Sequence, residues 1–165
     1  MKLIVGLGNP EGKYQKNRHN VGHMLVNALV EELDLNWEAN SKLKADICKK
    51  DSVTFLKSHE YMNSSGIPVS LAMNFFKIDA KDLIVIHDDI DLPLGELKKQ
   101  FSVGAAGHHG VESIISNLGS KDFWRIRVGV GRPTSGQQVE DFVLSNFSED
   151  ELKVISGINI SSQIS

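Results

Sequence analysis

Residues 83–91 read LIVIHDDID, four aliphatic side chains running straight into His87, Asp88, Asp89 and Asp91. A continuous apolar run without polar alternation is the pattern of a strand covered on both faces. Such a strand belongs in a sheet held between two layers of helix. The polar residues at its carboxyl end then stand where α/β proteins collect their sites.

The surrounding sequence extends this pattern in both directions. Leu3 to Leu7 is a second aliphatic run, closed by Gly8-Asn9-Pro10, and reads as a buried strand entering a loop. Val21, Met24, Leu25, Ala28 and Leu29 recur at three- and four-residue steps behind Asn20; the spacing predicts a helix ending near Asp34, with Asn20 as its N-cap. Lys44 to Lys49 and Val53 to Lys57 predict an antiparallel pair turning at Lys50-Asp51-Ser52. A helix starting near Pro68 carries Val69, Leu71, Ala72, Phe75 and Phe76, which leaves Asn63 in the loop before it. Farther on, Gly104 to Gly110 precedes a helix marked by Val111, Ile114, Ile115 and Leu118, and Arg125 to Gly131 alternates as a strand. Ser148 and Glu151 have the spacing of a capping box that opens a last helix. Strands alternating with helices predict a single three-layer α/β/α domain, residues 1–165, around a mixed, mostly parallel twisted sheet.

Composition narrows the function classes. At 165 residues, 41% hydrophobic and 24% charged, the chain has the size and balance of one globular domain, with no linker tract. It shows neither a secretory signal pattern nor an apolar stretch near the ~20 residues that span a bilayer; the expectation is a cytoplasmic protein without membrane contact. A single cysteine, Cys48, excludes an internal disulfide and reads as a strand thiol. The net charge is −3, but from Lys98 to Arg132 six basic residues stand against two acidic ones, a local +4 that leaves −7 for the rest. That asymmetry is compatible with an anionic partner on one face and equally with scattered solvated charge.

Three loops carry the candidate chemistry. The first, GLGNPEGKYQKNRHN at 6–20, follows a strand as a dinucleotide fingerprint would, yet its third glycine, Gly12, falls one position late and no helix opens beside the glycines. It offers instead Asn9, Tyr14, Asn17, Arg18, His19 and Asn20. Of these, His19 stands just before a helix N-terminus, where the dipole favours a neutral imidazole able to act as a base. In the second loop, Asp88, Asp89 and Asp91 leave three readings open: carboxylates for Mg²⁺, an orienting partner for a histidine, or a plain acidic turn. The third, Gly104 to Gly110, lacks the Lys-Ser/Thr ending of a P-loop but adds His108 and His109 within the basic window.

Taken together, LIVGLGNPEGKYQKNRHNVG (3–22), YMNSSG (61–66), IHDDIDLPLG (86–95), GHHGVESI (107–114) and FWRIRVGVGRP (123–133) resemble the bacterial-type peptidyl-tRNA hydrolases, in matching order and spacing from about Lys2 to Phe147. The resemblance implies hydrolysis of the ester joining a peptide to tRNA, with no metal or organic cofactor, in a chain that works as a monomer without an obligate protein partner. It implies His19 as the catalytic base and Asp88 as its partner. Asn9, Tyr14, Met62, Asn63 and His109 are implied as substrate-binding residues. Lys98, Lys99 and Arg127 are implied as tRNA-binding, with Arg125 and Arg132 in the same basic window. Two departures from the family pattern stand out. His109 occupies the place of the usual asparagine of Gly-His-Asn-Gly, and the C-terminal helix is expected to be short or incomplete. These keep an RNA-binding relative with weak or no hydrolysis in view as an alternative, and the His87-Asp88 pair separately keeps a metal-dependent phosphohydrolase as another.

Overall fold

Residues 83–89 of the opening stretch form a strand flanked on both sides by parallel neighbours, and Ile90 and Asp91 turn away from it. In a computed structural model, which describes residues 1–164, the strands are β1 (Lys2–Gly6), β2 (Glu38–Asn40), β3 (Ala45–Lys50), β4 (Val53–Ser58), β5 (Leu83–Asp89), β6 (Leu97–Phe101) and β7 (Trp124–Gly129). They make one sheet in the order β2-β3-β4-β1-β5-β7-β6. The pairs β4–β1, β1–β5 and β5–β7 are parallel, whereas β2–β3, β3–β4 and β6–β7 are antiparallel. Parallel pairing therefore occupies the centre of the mixed sheet, where the aliphatic runs lie, and antiparallel pairs finish both edges.

The helices are α1 (Val21–Glu32), α2 (Gly66–Phe76), α3 (His109–Leu118), α4 (Val139–Val143) and α5 (Glu149–Ser156). On one face of the sheet Ile4, Ile84, Ile86 and Ile126 pack with Val21 and Leu25 of α1 and with Phe142 and Ile155 from α4 and α5. On the other face Leu3, Val5, Leu83 and Val85 meet Val69 and Ala72 of α2 and Val111 and Ile114 of α3. Neighbouring side chains along β1 and β5 thus enter opposite cores, the reason their sequences show no polar alternation. Burial of each such aliphatic side chain contributes about 1.5–3 kcal/mol. Between α2 and α3 the helices touch at Gly66, where an added Cβ would lie 2.1 Å from the Ser113 carbonyl oxygen.

The expected antiparallel pair is β3–β4, and the Ser148–Glu151 capping box opens α5 with both reciprocal bonds formed. α2 begins at Gly66 rather than near Pro68, because a 3₁₀ turn over Met62–Ser64 leads into it. Cys48 is buried in β3, and burial pushes its thiol up to about 11. After α5 of eight residues the described chain ends in a 3₁₀ turn at Ser161–Gln163. Among the described residues no helix is long and apolar enough to cross a membrane.

Candidate active site

The site begins with strand register. β1 and β5 run parallel with Gly6 opposite Ile86, so the loop leaving β1 starts beside the carboxyl end of β5. α1 then returns across that point. Its Gly22 sits so close that a Cβ there would lie 2.3 Å from the Ile86 carbonyl oxygen and 2.5 Å from the Leu7 nitrogen. This close approach, open to glycine alone, holds the 3₁₀ turn Arg18–Asn20 over the end of β5. His19 is thereby brought to Asp88.

The turn is fixed from behind as well. Arg18 donates from Nη1 to Ser145 Oγ at 2.6 Å and to the Asn146 carbonyl at 2.9 Å, and from Nη2 to Glu151 Oε1 at 2.8 Å. Its guanidinium also lies over the Phe142 ring, 4.4 Å from the centroid. The chain after α4 therefore clamps the residue next to His19.

Asp88 is 3% exposed and accepts from two imidazoles. His19 Nδ1 lies 2.8 Å from Oδ2 and His108 Nε2 lies 2.8 Å from Oδ1. His108 is the N-cap of α3, its Nδ1 accepting the Val111 N–H at 3.3 Å, so its proton resides on Nε2 and points at Asp88. With His19 donating Nδ1–H to the carboxylate, its Nε2 keeps a lone pair towards the cavity. Burial by itself would raise the Asp88 pKa, but the charges of His19 and then His108, with their hydrogen bonds, hold the carboxyl below the usual carboxylate range. For His19, burial acts to lower the pKa, and the charge and hydrogen bond of Asp88 outweigh it, so the imidazole is raised above its ordinary 6.5. The dipole of the helix terminus, which favours the neutral ring, is outweighed here by a carboxylate in direct contact.

A cavity of about 660 Å³ opens above this pair. Asn9, Tyr14, Met62, Asn63 and His109 all line it. Asn9 is buried, and its Oδ1 accepts the Met62 N–H at 2.8 Å, which turns Nδ2 towards the cavity as a donor. Asn20 holds the Asn9 backbone on both sides, at 3.0 and 2.9 Å. Asn63 is exposed in the 3₁₀ turn, Met62 is buried beneath it, and Tyr14 meets Tyr61 edge to face with centroids 6.3 Å apart. His109 stands at the rim with 59% of its side chain exposed and its Nδ1 3.4 Å from Glu112.

The basic residues divide. Lys98 is exposed on β6 opposite Arg127, whereas Lys99 faces the other side of the sheet over the Trp124 ring. Arg127 is partly buried, donating to Asp89 Oδ2 at 2.5 Å and Gln100 Oε1 at 2.9 Å. It lines the cavity, but its charge is largely answered within the protein.

The three aspartates separate for the same reason. Asp89 is taken by Arg127 and Asp91 pairs with Arg132, so neither converges on Asp88, and the grouping that left Mg²⁺ open does not form. Among the described residues, the atoms that could hold a metal together belong to His19, Asp88 and His108, all within 4.8 Å of one another. Both Asp88 oxygens there are already engaged by the imidazoles.

Sequence reasoning missed His108 as the second partner of Asp88. Its signal was the N-cap position just ahead of Val111, which aims a side chain back over the strand end. His87, set beside Asp88 in the sequence, turns away from solvent. It is 2% exposed, donates Nδ1–H to the Asp88 carbonyl at 2.8 Å, and is pushed down to about 3 by burial.

Comparison with known proteins places these features in context. The family model described as Peptidyl-tRNA hydrolase matches residues 3–163. The peptidyl-tRNA hydrolase of Desulfitobacterium hafniense (strain Y51) is 42% identical over 160 residues, covering 96% of this chain and 86% of that protein. The one from Mycoplasma capricolum is 42% identical over 158 residues, covering 94% and 85%. A crystal structure of peptidyl-tRNA hydrolase from Acinetobacter baumannii superposes with a TM-score of 0.89 at 29% identity, covering 95% of this chain and 82% of that one.

Proposed function

The chain belongs to the peptidyl-tRNA hydrolase family, and from that membership we propose that it cleaves the ester between peptide and tRNA with His19 as general base and Asp88 as its partner. The observation that carries the assignment of roles is the 2.8 Å contact from His19 Nδ1 to a buried carboxylate, which leaves Nε2 as the acceptor facing the cavity. Water placed between His19 Nε2 and the ester carbonyl loses its proton to the imidazole as its oxygen attacks. The carbonyl oxygen becomes negative, and the Nδ2 donor of Asn9 and the amide of Asn63 are the neutral groups suited to meet it. When the carbon–oxygen bond to the ribose breaks, the imidazolium returns the proton to the leaving ribose oxygen, and Asp88 supports the transient charge.

Tyr14, Met62 and His109 line the path of the peptide, and Lys98, exposed on β6 opposite Arg127, serves the nucleic acid; Arg127 adds to it only what Asp89 leaves unanswered, and Lys99, on the other face of the sheet, meets nucleic acid outside the cavity. Phosphate contacts give affinity here, in a salt-dependent manner, without reading bases. Residues 1–165 act as one domain and as a monomer in the cytoplasm, without an organic cofactor or metal. Purified peptidyl-tRNA incubated with the chain should release peptide, and an excess of chelator should leave the rate unchanged. Strong inhibition by chelator would instead favour a metal held by His19, Asp88 and His108.

One observation favours a second reading. The exposed His109 stands where the family pattern has an asparagine, and it is turned towards Glu112. An RNA-binding relative with weak hydrolysis would bind peptidyl-tRNA tightly without deacylating it, and His109→Asn would leave that unchanged.

A further inference from the structure

Arg125 projects from β7 into the wall of the cavity, in register with Val85 on β5 and Gln100 on β6. It is 4% exposed, and its Nε and Nη1 are buried without a hydrogen-bond partner among the described residues. The neighbouring acidic group is already spent, because Asp89 binds Arg127 at 2.5 Å. Burial, followed by the like charge of Arg127, depresses the Arg125 pKa, with Asp89 acting in the opposite sense. A guanidinium stays charged at neutral pH even so. A buried cation with unfilled donors is costly unless something answers it, and a planar fork of N–H groups matches an oxyanion.

The topology indicates which oxyanion. Met62 and Asn63 follow β4, on one side of Asp88, while Arg125 lies on β7, on the other side and next to the lysine-bearing β6. A substrate whose ester sits at His19 thus runs its amide-recognised part towards Asn63 and its anionic part towards Arg125. Arg125 is three residues before Val128, the register partner of Asp88, about 10 Å along the strand. An arginine side chain and a single nucleotide together span that gap.

We propose that Arg125 is a phosphate subsite inside the cavity, taking the 5′-phosphate of the terminal nucleotide that carries the ester. The identity of that phosphate rests on the peptidyl-tRNA reading; the presence of an anion subsite rests on the unanswered guanidinium alone. Lys98 then guides the approaching nucleic acid from the exposed edge, and Arg125 fixes the last phosphate once the end is inside.

The test compares adenosine 5′-monophosphate with adenosine by calorimetric titration at low salt, on the wild-type chain and on Arg125→Met. The wild type should bind the nucleotide at least about tenfold more tightly than the nucleoside. Arg125→Met should bind both alike, with adenosine affinity unchanged and thermal stability no lower than wild type, since an unpaired buried charge is gone. It should also raise KM for peptidyl-tRNA more than it lowers kcat. Equal binding of the two ligands by the wild type overturns the proposal, as does a preference that survives in Arg125→Met. Where Arg125→Met does not fold, Arg125→Lys carries the comparison: a reduced preference for the nucleotide supports the subsite and an undiminished one overturns it. Deacylation plays no part in the titration. A chain that prefers the nucleotide but releases no peptide keeps the subsite and loses the hydrolase reading, and the converse loses the subsite alone.

Discussion

His19 and Asp88, 69 residues apart in sequence, meet at 2.8 Å through Nδ1 and Oδ2 at the carboxyl end of β5. The pairing fixes which imidazole nitrogen is free, and it sets the electrostatics of the ring. Several consequences can be measured.

Asp88→Asn keeps the shape of the side chain and removes its charge. The imidazolium formed during proton transfer loses its counter-charge, and kcat should fall by about 10²- to 10⁴-fold. NMR titration of His19 in the same variant should show its pKa dropping, since the charge and hydrogen bond of Asp88 are what raise it. A His19 pKa unchanged by Asp88→Asn would contradict the electrostatic account.

The pH dependence follows with a definite sign. The base form of His19 is the active one, so kcat/KM should rise with pH. The midpoint of that rise belongs above the ordinary imidazole value of 6.5, because the pKa is raised in the folded protein. A rate profile with its ascending limb centred well below that value would assign the base to another group.

His108 and His109 are adjacent in sequence and differ in consequence. His108→Ala removes a charge-assisted hydrogen bond to a buried carboxylate and should lower turnover by about ten- to a hundredfold. His109→Asn disturbs an exposed ring paired with Glu112, and the change should stay below about fivefold. Parallel kinetics on the two variants check the contrast, and the reverse ranking would count against Asp88 being held from both sides.

Acid stability depends on a different histidine. His87 is held neutral, pushed down to about 3 by burial, whereas in the unfolded chain it takes a proton near 6.5. Between those values the unfolded state binds more protons, so stability falls as the pH is lowered, by up to about 1.4 kcal/mol per pH unit from this group. His23, likewise pushed down to about 3 by burial, acts in the same direction. Urea midpoints that stay constant between pH 6.5 and 4 would show that neither ring is buried neutral.

The central strands, the antiparallel pair β3–β4 and the capping box of α5 were legible because each depends on local pattern: aliphatic runs, a turn triplet, a Ser-x-x-Glu spacing. β2, β6 and α4 were not. Glu38–Asn40 is three residues long, Leu97–Phe101 is an edge strand with two lysines and little burial, and Val139–Val143 is barely more than one helical turn. β2 is held by β3 a few residues on, β6 by the more distant β7, and none of the three by a periodicity of its own. In the site, His19, Asp88, Asn9 and Asn63 could be singled out from loop positions and family resemblance. The bond from His108 to Asp88, the clamp of Arg18 on Glu151 and the unanswered charge of Arg125 required knowing which loops the sheet order brings together.

The most direct test of the hydrolase mechanism is single-turnover deacylation of purified peptidyl-tRNA by His19→Ala beside the wild type, with thermal unfolding and tRNA binding followed on the same samples. A folded variant that still binds tRNA and deacylates at least about 10²-fold more slowly is the predicted result. A folded variant that deacylates at the wild-type rate would contradict the assignment of His19 as the base.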